Sequence, residues 1–243
     1  MIDGFKIIDC HVHSGYWLYK AYRYEHFNVL EYWKKYKFFV DIAMFMPAED
    51  KDNKSLNILL QNLKNSYRFF WYDPFDIDNQ DFGNIIGFKV HASIDRIISG
   101  ISNCLYNSMI EAAIALGYPI LCHCGGWTMM SNPCFIVKQA KQFSNIQFIA
   151  AHCGGKDDKS KLEAIDIFAK YDNIFVDTSA TKYTEVIKYA VKKLGPERIL
   201  FGSDWPIMNP ISNFYVIMDA NLKQKQTEQI LFKNSQTLFN INE

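Results

Sequence analysis

Several things are missing from this 243-residue sequence, and each absence removes a class of protein. There is no excess of charge of one sign: lysine plus arginine number 26, and so do aspartate plus glutamate. Nucleic-acid-binding domains normally carry a basic excess or stripe, so a polymer partner is not expected. No apolar run approaches the ~18 residues that a membrane-spanning helix requires. The N-terminal Met1-Ile2-Asp3-Gly4-Phe5-Lys6 has neither a basic n-region nor an apolar h-region, which predicts a cytoplasmic protein that leaves membranes alone. No G-x-G-x-x-G follows a predicted strand, so a dinucleotide-binding sheet has no support. Glycine (12) and proline (7) are sparse and no tract is biased, which leaves little room for linkers and predicts one domain over residues 1–243. The six cysteines, Cys10, Cys104, Cys122, Cys124, Cys134 and Cys153, lack the setting of a secreted disulfide framework and are expected as free thiols.

What is present is an ordinary globular composition, 49% hydrophobic and 21% charged, in a chain long enough to bury a full core. Short β-branched or aromatic runs predict strands at Lys6–His13, Phe38–Met46, Tyr67–Tyr72, Ile85–His91, Pro119–His123, Ile146–His152, Asn173–Thr178 and Arg198–Ser203. Between them, helical patterns cover Glu25–Lys37, Ser55–Asn65, Asn107–Leu116, Pro133–Gln142, Asp158–Tyr171 and Thr184–Leu194. Alternation of this kind means parallel βα units, closed either as an open doubly wound sheet or as a (β/α)₈ barrel. The polar residues choose between them. His11 and His13 end the first strand, His91 the fourth, His123 the fifth and His152 the sixth, while Asp204 follows the eighth. A barrel gathers all these ends on one rim, whereas an open sheet spreads them across its breadth. The expected fold is therefore a single α/β (β/α)₈ TIM barrel with short loops.

Five of the six histidines thus sit at strand ends, with His26 alone assigned to a helix surface. His11 and His13 are two apart and share a strand face, from which two imidazoles can hold one ion. A single H-x-H is more often a chance pair, but the set of five is not. Ile120–Gly126 and Phe148–Gly155 each run an apolar strand into a histidine and a glycine pair, and the glycines let the chain turn sharply. Ile199–Pro206 ends a buried strand in Asp204, a carboxylate suited to a metal or to taking a proton from water, although a lone aspartate there commonly just caps a turn. Strict alternation would turn Cys10, Cys122, Cys124 and Cys153 away from the barrel axis if the histidines face it, leaving the thiols as small apolar residues. The loop after the first strand carries Trp17 and Arg23, and aromatic and cationic groups near a rim suit a small planar or carboxylate-bearing molecule.

Taken together, His11-Val12-His13, His123-Cys124-Gly125, His152-Cys153-Gly154-Gly155 and Gly202-Ser203-Asp204-Trp205-Pro206 resemble the amidohydrolase superfamily, in its amidohydrolase-related (amidohydrolase-2) branch of metal-dependent hydrolases, lactonases and decarboxylases. The resemblance implies that His11, His13, His123 and Asp204 hold one divalent ion, usually zinc, with manganese or iron fitting the same ligands. It implies that His152 is an uncoordinated acid/base and that Asp204 also takes a proton from the water. Three neutral nitrogens and a carboxylate suit Zn²⁺ and leave a place for water, whose pKa falls to about 7 on catalytic zinc. Lys89 and His91 share a strand face. In binuclear members a carboxylated lysine bridges two metals, and Lys89 then takes that role with His123 and His152 on the second ion. The branch is usually mononuclear, so Lys89 and His91 are assigned to the substrate pocket together with Trp17 and Arg23; a lysine snorkelling to the rim is the bland alternative.

The expected reaction is hydrolysis of a small amide, ester or lactone. The alternative is non-oxidative decarboxylation of a small aromatic or unsaturated acid, for which the same ligands serve. A TatD-type deoxyribonuclease is expected to end strand four in glutamate, where this chain has Lys89-Val90-His91, and a non-catalytic barrel is expected to have lost ligands. The partner is a small-molecule substrate. Relatives often dimerise, which leaves a homodimer open, but no stretch marks an interface.

Overall fold

The computed structural model describes residues 4–17, 26–76 and 82–241. Among the described residues nine strands lie in one sheet: β1 (Ile8–Tyr16), β2 (His26–Phe27), β3 (Ile42–Pro47), β4 (Ser66–Trp71), β5 (Gly87–Val90), β6 (Ile120–Cys122), β7 (Phe148–Ala150), β8 (Ile174–Asp177) and β9 (Ile199–Leu200). Their order is β2-β1-β3-β4-β5-β6-β7-β8-β9, and every pairing from β1 through β9 is parallel. The sheet then closes on itself. Cys10 donates its backbone N–H to Phe201 O (3.0 Å), Asp204 to His11 O (2.7 Å) and His13 to Trp205 O (2.8 Å), around a parallel bridge between Val12 and Trp205. This is the expected (β/α)₈ barrel. Its ninth strand, β2, is an antiparallel flap on β1, pairing His26 with Tyr16. His26 therefore lies on an edge strand and not on a helix surface.

Helices α1 (Val29–Tyr36), α2 (Asn53–Leu60), α3 (Ala92–Asp95), α4 (Asn107–Leu116), α5 (Pro133–Gln142), α6 (Asp158–Phe168) and α7 (Thr184–Leu194) lie between strands, and α8 (Pro210–Met218), α9 (Gln224–Glu228) and α10 (Asn234–Leu238) follow β9. Three of the expected helices, α4, α5 and α7, have the predicted bounds. The first starts later than its pattern suggests, because the Asn28 side chain accepts from Glu31 N while Glu31 reaches back to Asn28 N. Such a reciprocal box fixes an N-terminus against the pull of the apolar pattern upstream. None of the helices among the described residues is long and apolar enough to cross a membrane.

Alternation sorts the strands into two layers. Ala43, Phe45, Phe70, Phe88, Val90, Ile120, Cys122, Phe148, Ala150, Ile174, Val176 and Ile199 belong to the core between barrel and helices. Ile8, Cys10, Met44, Met46, Phe69, Leu121, Ile149 and Leu200 fill the barrel itself, with Phe232, Phe239 and Ile241 closing its amino end. Cys122, Cys124 and Cys153 lie in the outer layer as alternation predicts, but Cys10 does not. The reason is a bulge. Asp9 pairs with Ala43 and Val12 with Phe45, so β1 advances three residues while β3 advances two. The extra residue shifts the phase of the pleat, and Cys10 joins the inner layer while Val12 remains in the outer one.

Candidate active site

The bulge that displaces Cys10 is also what delivers two imidazoles to the barrel axis. Asp9, outside it, clamps the local backbone: its carboxylate accepts from Ser203 N (2.8 Å), His11 N (3.3 Å) and the Tyr32 hydroxyl (2.7 Å). Burial pushes the Asp9 carboxyl up to about 6, against the opposing pull of those hydrogen bonds.

His11 and His13 are each held through Nδ1. His13 Nδ1 lies 2.9 Å from Pro47 O, and a carbonyl can only accept, so this nitrogen carries the proton. His11 Nδ1 donates to Asp177 Oδ2 at 2.8 Å. Each ring is thereby locked in the tautomer whose Nε2 has a bare lone pair. The two lone pairs face each other at 3.2 Å, and Asp204 Oδ1 stands 3.4 Å from His11 Nε2 and 3.3 Å from His13 Nε2. Three electron-rich atoms crowded in this way repel one another unless a cation lies between them. Their spacing suits one, since in a tetrahedral zinc shell with bonds of about 2.0–2.1 Å adjacent ligands stand roughly 3.3–3.4 Å apart. These three residues form one of two His/Asp groups among the described residues with metal-binding spacing; His11, His152 and Asp177 form the other.

The sequence reading missed Asp177 and its neighbour Ser179. Asp177 ends β8 and organises half the site. Its Oδ1 accepts from His152 N (2.9 Å) and Ser179 N (3.0 Å) and from the Ser179 hydroxyl, while Oδ2 holds His11. A carboxylate behind a ligating histidine fixes ring orientation and raises its basicity. The serine hydroxyl, spent on Asp177, accepts from His152 Nδ1 at 2.8 Å. That leaves a lone pair on His152 Nε2, which lies 3.2 Å from His123 Nδ1. The signal in the sequence was an aspartate ending an apolar run, Ile174-Phe175-Val176-Asp177, the same pattern that drew attention to Asp204.

His123 is brought beside His152 and stacks on His91, ring centroids 3.7 Å apart at 12°, but it stands outside the three-atom cluster. His91 is not the last residue of its strand: β5 stops at Val90, and His91 caps α3, its Nδ1 accepting from Ile94 N at 3.3 Å. Its other ring face lies parallel to Trp71 at 5.7 Å, so Trp71, His91 and His123 form a stacked wall. Lys89 does not snorkel. It is 1% exposed, with Nζ 3.3 Å from His11 Nε2 and 5.8 Å from the centre of the Trp71 ring. Trp17 packs edge-on against His13 at 4.8 Å. Arg23 lies outside the described residues.

Burial holds four of the imidazoles neutral. The pKa of His11, His91 and His152 is well below the usual histidine range and that of His123 falls to about 3, chiefly by desolvation, with the Lys89 charge adding to the effect. Desolvation also lowers Lys89 and raises Asp204; the nearby carboxylates oppose the first and His13 the second. Two of these side chains sit on strained backbone: His152 (φ +60°) and Asp204 (φ +62°) are left-handed, a cost that such residues bear mainly at functional sites. After His152 the turn needs Gly154, at φ +86°, because a Cβ there would lie 2.6 Å from both Ala164 Cβ and the Phe168 ring.

A closed (β/α)₈ barrel with neutral histidines and buried carboxylates gathered at the carboxyl ends of its strands is an enzyme architecture. The kind of enzyme follows from comparison. The amidohydrolase model of the amidohydrolase-2 type matches residues 99–241, more than half of the chain, and the chain belongs to that family of hydrolases and decarboxylases. The matched stretch holds His123, His152, Asp177 and Asp204; the His11–His13 pair precedes it. No curated protein matches the chain. Among solved structures it is similar to amidohydrolase 2 from Bifidobacterium longum subsp. infantis (17% identity, TM-score 0.75, covering 98% of this chain and 100% of that one). An amidohydrolase from Burkholderia multivorans with bound zinc has 12% identity and TM-score 0.76, with 98% and 100% covered. 2,6-Dihydroxybenzoate decarboxylase from Rhizobium has 12% identity and TM-score 0.70, with 97% and 99% covered. At such identities the likeness is one of fold.

Proposed function

We propose that the chain is a metal-dependent hydrolase of a small amide, ester or lactone, with His11, His13 and Asp204 holding one divalent ion and His123 as a further ligand. The observation that carries this is the convergence of two bare Nε2 lone pairs and a carboxylate oxygen at 3.2–3.4 Å, each imidazole being locked from behind. Zinc is the favoured ion, by the donor set and by the zinc in the Burkholderia multivorans relative. A bound ion would act as a Lewis acid, lowering the pKa of water and polarising a substrate oxygen.

The chain's own residues divide the remaining work. Asp204, whose Oδ1 stands in the cluster, takes a proton from the attacking water. His152 is neutral, with an accepting lone pair on Nε2 and Nδ1–H anchored on Ser179, so it relays through Nε2 to the leaving group the proton that Asp204 takes from water. Asp177 and Ser179 keep both rings in the required tautomer. Lys89, His91, Trp17 and Arg23 are assigned to the substrate side.

Decarboxylation of a small planar acid is the second reading. One observation favours it: Lys89 Nζ over the Trp71 ring at 5.8 Å puts a cation and an aromatic plane together inside the barrel. The deciding experiment is elemental analysis of purified protein, followed by a screen of lactones, esters, amides and aromatic acids that scores both hydrolysis and CO₂ release. About one equivalent of metal, with turnover lost to a chelator and restored by zinc or manganese, is expected. Protein that neither contains a metal nor takes one up overturns the proposal.

A further inference from the structure

Lys89 makes a contact that a bound ion could not tolerate. Its ammonium is buried on the inner wall, where an unpaired charge is costly. The partner it has found is His11 Nε2, at 3.3 Å. Because His11 Nδ1–H donates a hydrogen bond to Asp177, Nε2 has one in-plane lone pair and can only accept. That same lone pair is a corner of the three-atom cluster. It can receive a hydrogen bond from Lys89 or coordinate an ion, but it cannot do both.

Resting on the metal-site reading above, we infer that Lys89 is a built-in competitor for the ion. Its ammonium ties up the His11 lone pair and gives the crowded donors a positive charge in the ion's absence. It must leave when a divalent ion arrives, since the ion takes its acceptor and repels it. Lys89 thereby weakens and tunes the metal affinity of the site. Before displacement the ammonium lies 5.8 Å from the centre of the Trp71 ring, and once released from His11 it is free to meet an anionic oxygen of the substrate. This role is the opposite of a bridging lysine, which would strengthen metal binding.

The test is zinc affinity, by competition with a chromophoric chelator, of the full chain and of its Lys89→Met, Lys89→Gln and Lys89→Arg variants, with melting curves of each form with and without zinc. The neutral variants are expected to bind zinc at least about tenfold more tightly than the parent, and Lys89→Arg no more tightly. Without zinc the neutral variants should melt below the parent, and with saturating zinc the gap should close or reverse. Using two neutral variants keeps the test sound if one fails to fold. Equal affinity in parent and neutral variants overturns the competition while leaving the metal site standing. Weaker binding in the neutral variants, with bicarbonate strengthening the parent, makes Lys89 a ligand and overturns it too. No zinc binding in any form overturns this inference together with the reading on which it rests.

Discussion

The two ends of the barrel interior are built by the same strands and have opposite chemistry. Toward the amino end the inward positions are Ile8, Phe69, Leu121 and Ile149, closed over by Phe232, Phe239 and Ile241. Two residues further on come Trp71 after Phe69 and His123, just past the end of its strand, after Leu121, with Asp177 two on from Phe175. One step of the pleat, roughly 6.6 Å, therefore separates a dry apolar plug from a cluster of buried ionisable groups. The plug gains free energy from every methylene it removes from water. The cluster gains little from burial, and its members are held in place by locked hydrogen bonds to Pro47, Asp177 and Ser179. Stability and chemistry are thus drawn from different layers of one sheet, in keeping with the division of labour along (β/α)₈ barrels.

That contrast can be broken from either end. The largest effect belongs to the polar layer: Asp204→Asn is expected to cut turnover about a thousandfold or more, since it removes a proposed ligand and the proton acceptor together. Its melting temperature should stay near that of the parent, as checked by steady-state kinetics alongside calorimetry. At the other end, Phe239 meets Phe69 edge-to-face at 5.5 Å, and Phe239→Ala should cost about 3 kcal/mol in denaturant unfolding. Turnover per folded molecule should hardly change. A variant that lost activity in proportion to stability would show that the two layers are coupled.

Asp9 sharpens the comparison through pH. Its carboxyl moves from 3.8 to about 6 on folding, so between these values the native state binds more protons than the unfolded one. Stability should then fall as pH rises from about 4 to about 6, by a total on the order of 3 kcal/mol from this group, and level off above. Asp9→Asn should flatten that part of the stability–pH curve; an unchanged slope would mean that another group carries it. The smallest effect is expected from Asp177→Asn, which leaves the proposed ligands but loosens their support. A 10–100-fold loss of zinc affinity is the expected range for such a partner, measured by chelator competition, and no loss would remove Asp177 from its orienting role.

How much of this was legible beforehand differs by element. The eight parallel strands could be read because each is a short apolar run bounded by polar sequence, and α4, α5 and α7 because their apolar spacing and terminal residues agree. His11, His13 and Asp204 were legible as a set because the carboxyl-terminal parts of the strands meet on one rim once the sheet closes, although β1 runs past both histidines to Tyr16. Cys10 was misplaced because a bulge changes phase without any mark in the residues that form it. His26 falls inside a helical pattern in the sequence, and it is the capping box at Asn28 that starts the helix beyond it. Asp177 looked like any aspartate ending a strand, and only its position behind His11 and His152 distinguishes it.

The sequence by itself determined the class of fold, the family resemblance and the histidine and aspartate types that the chemistry needs, because periodicity and strand-end composition are local properties. Only the tertiary structure decided which lone pairs face one another, that Lys89 reaches His11 Nε2, and that Asp177 and Ser179 lock the rings. Those facts depend on side chains from strands as far apart in sequence as β1 and β8. No local pattern encodes a distance of 3 Å between them; closure of the barrel creates it.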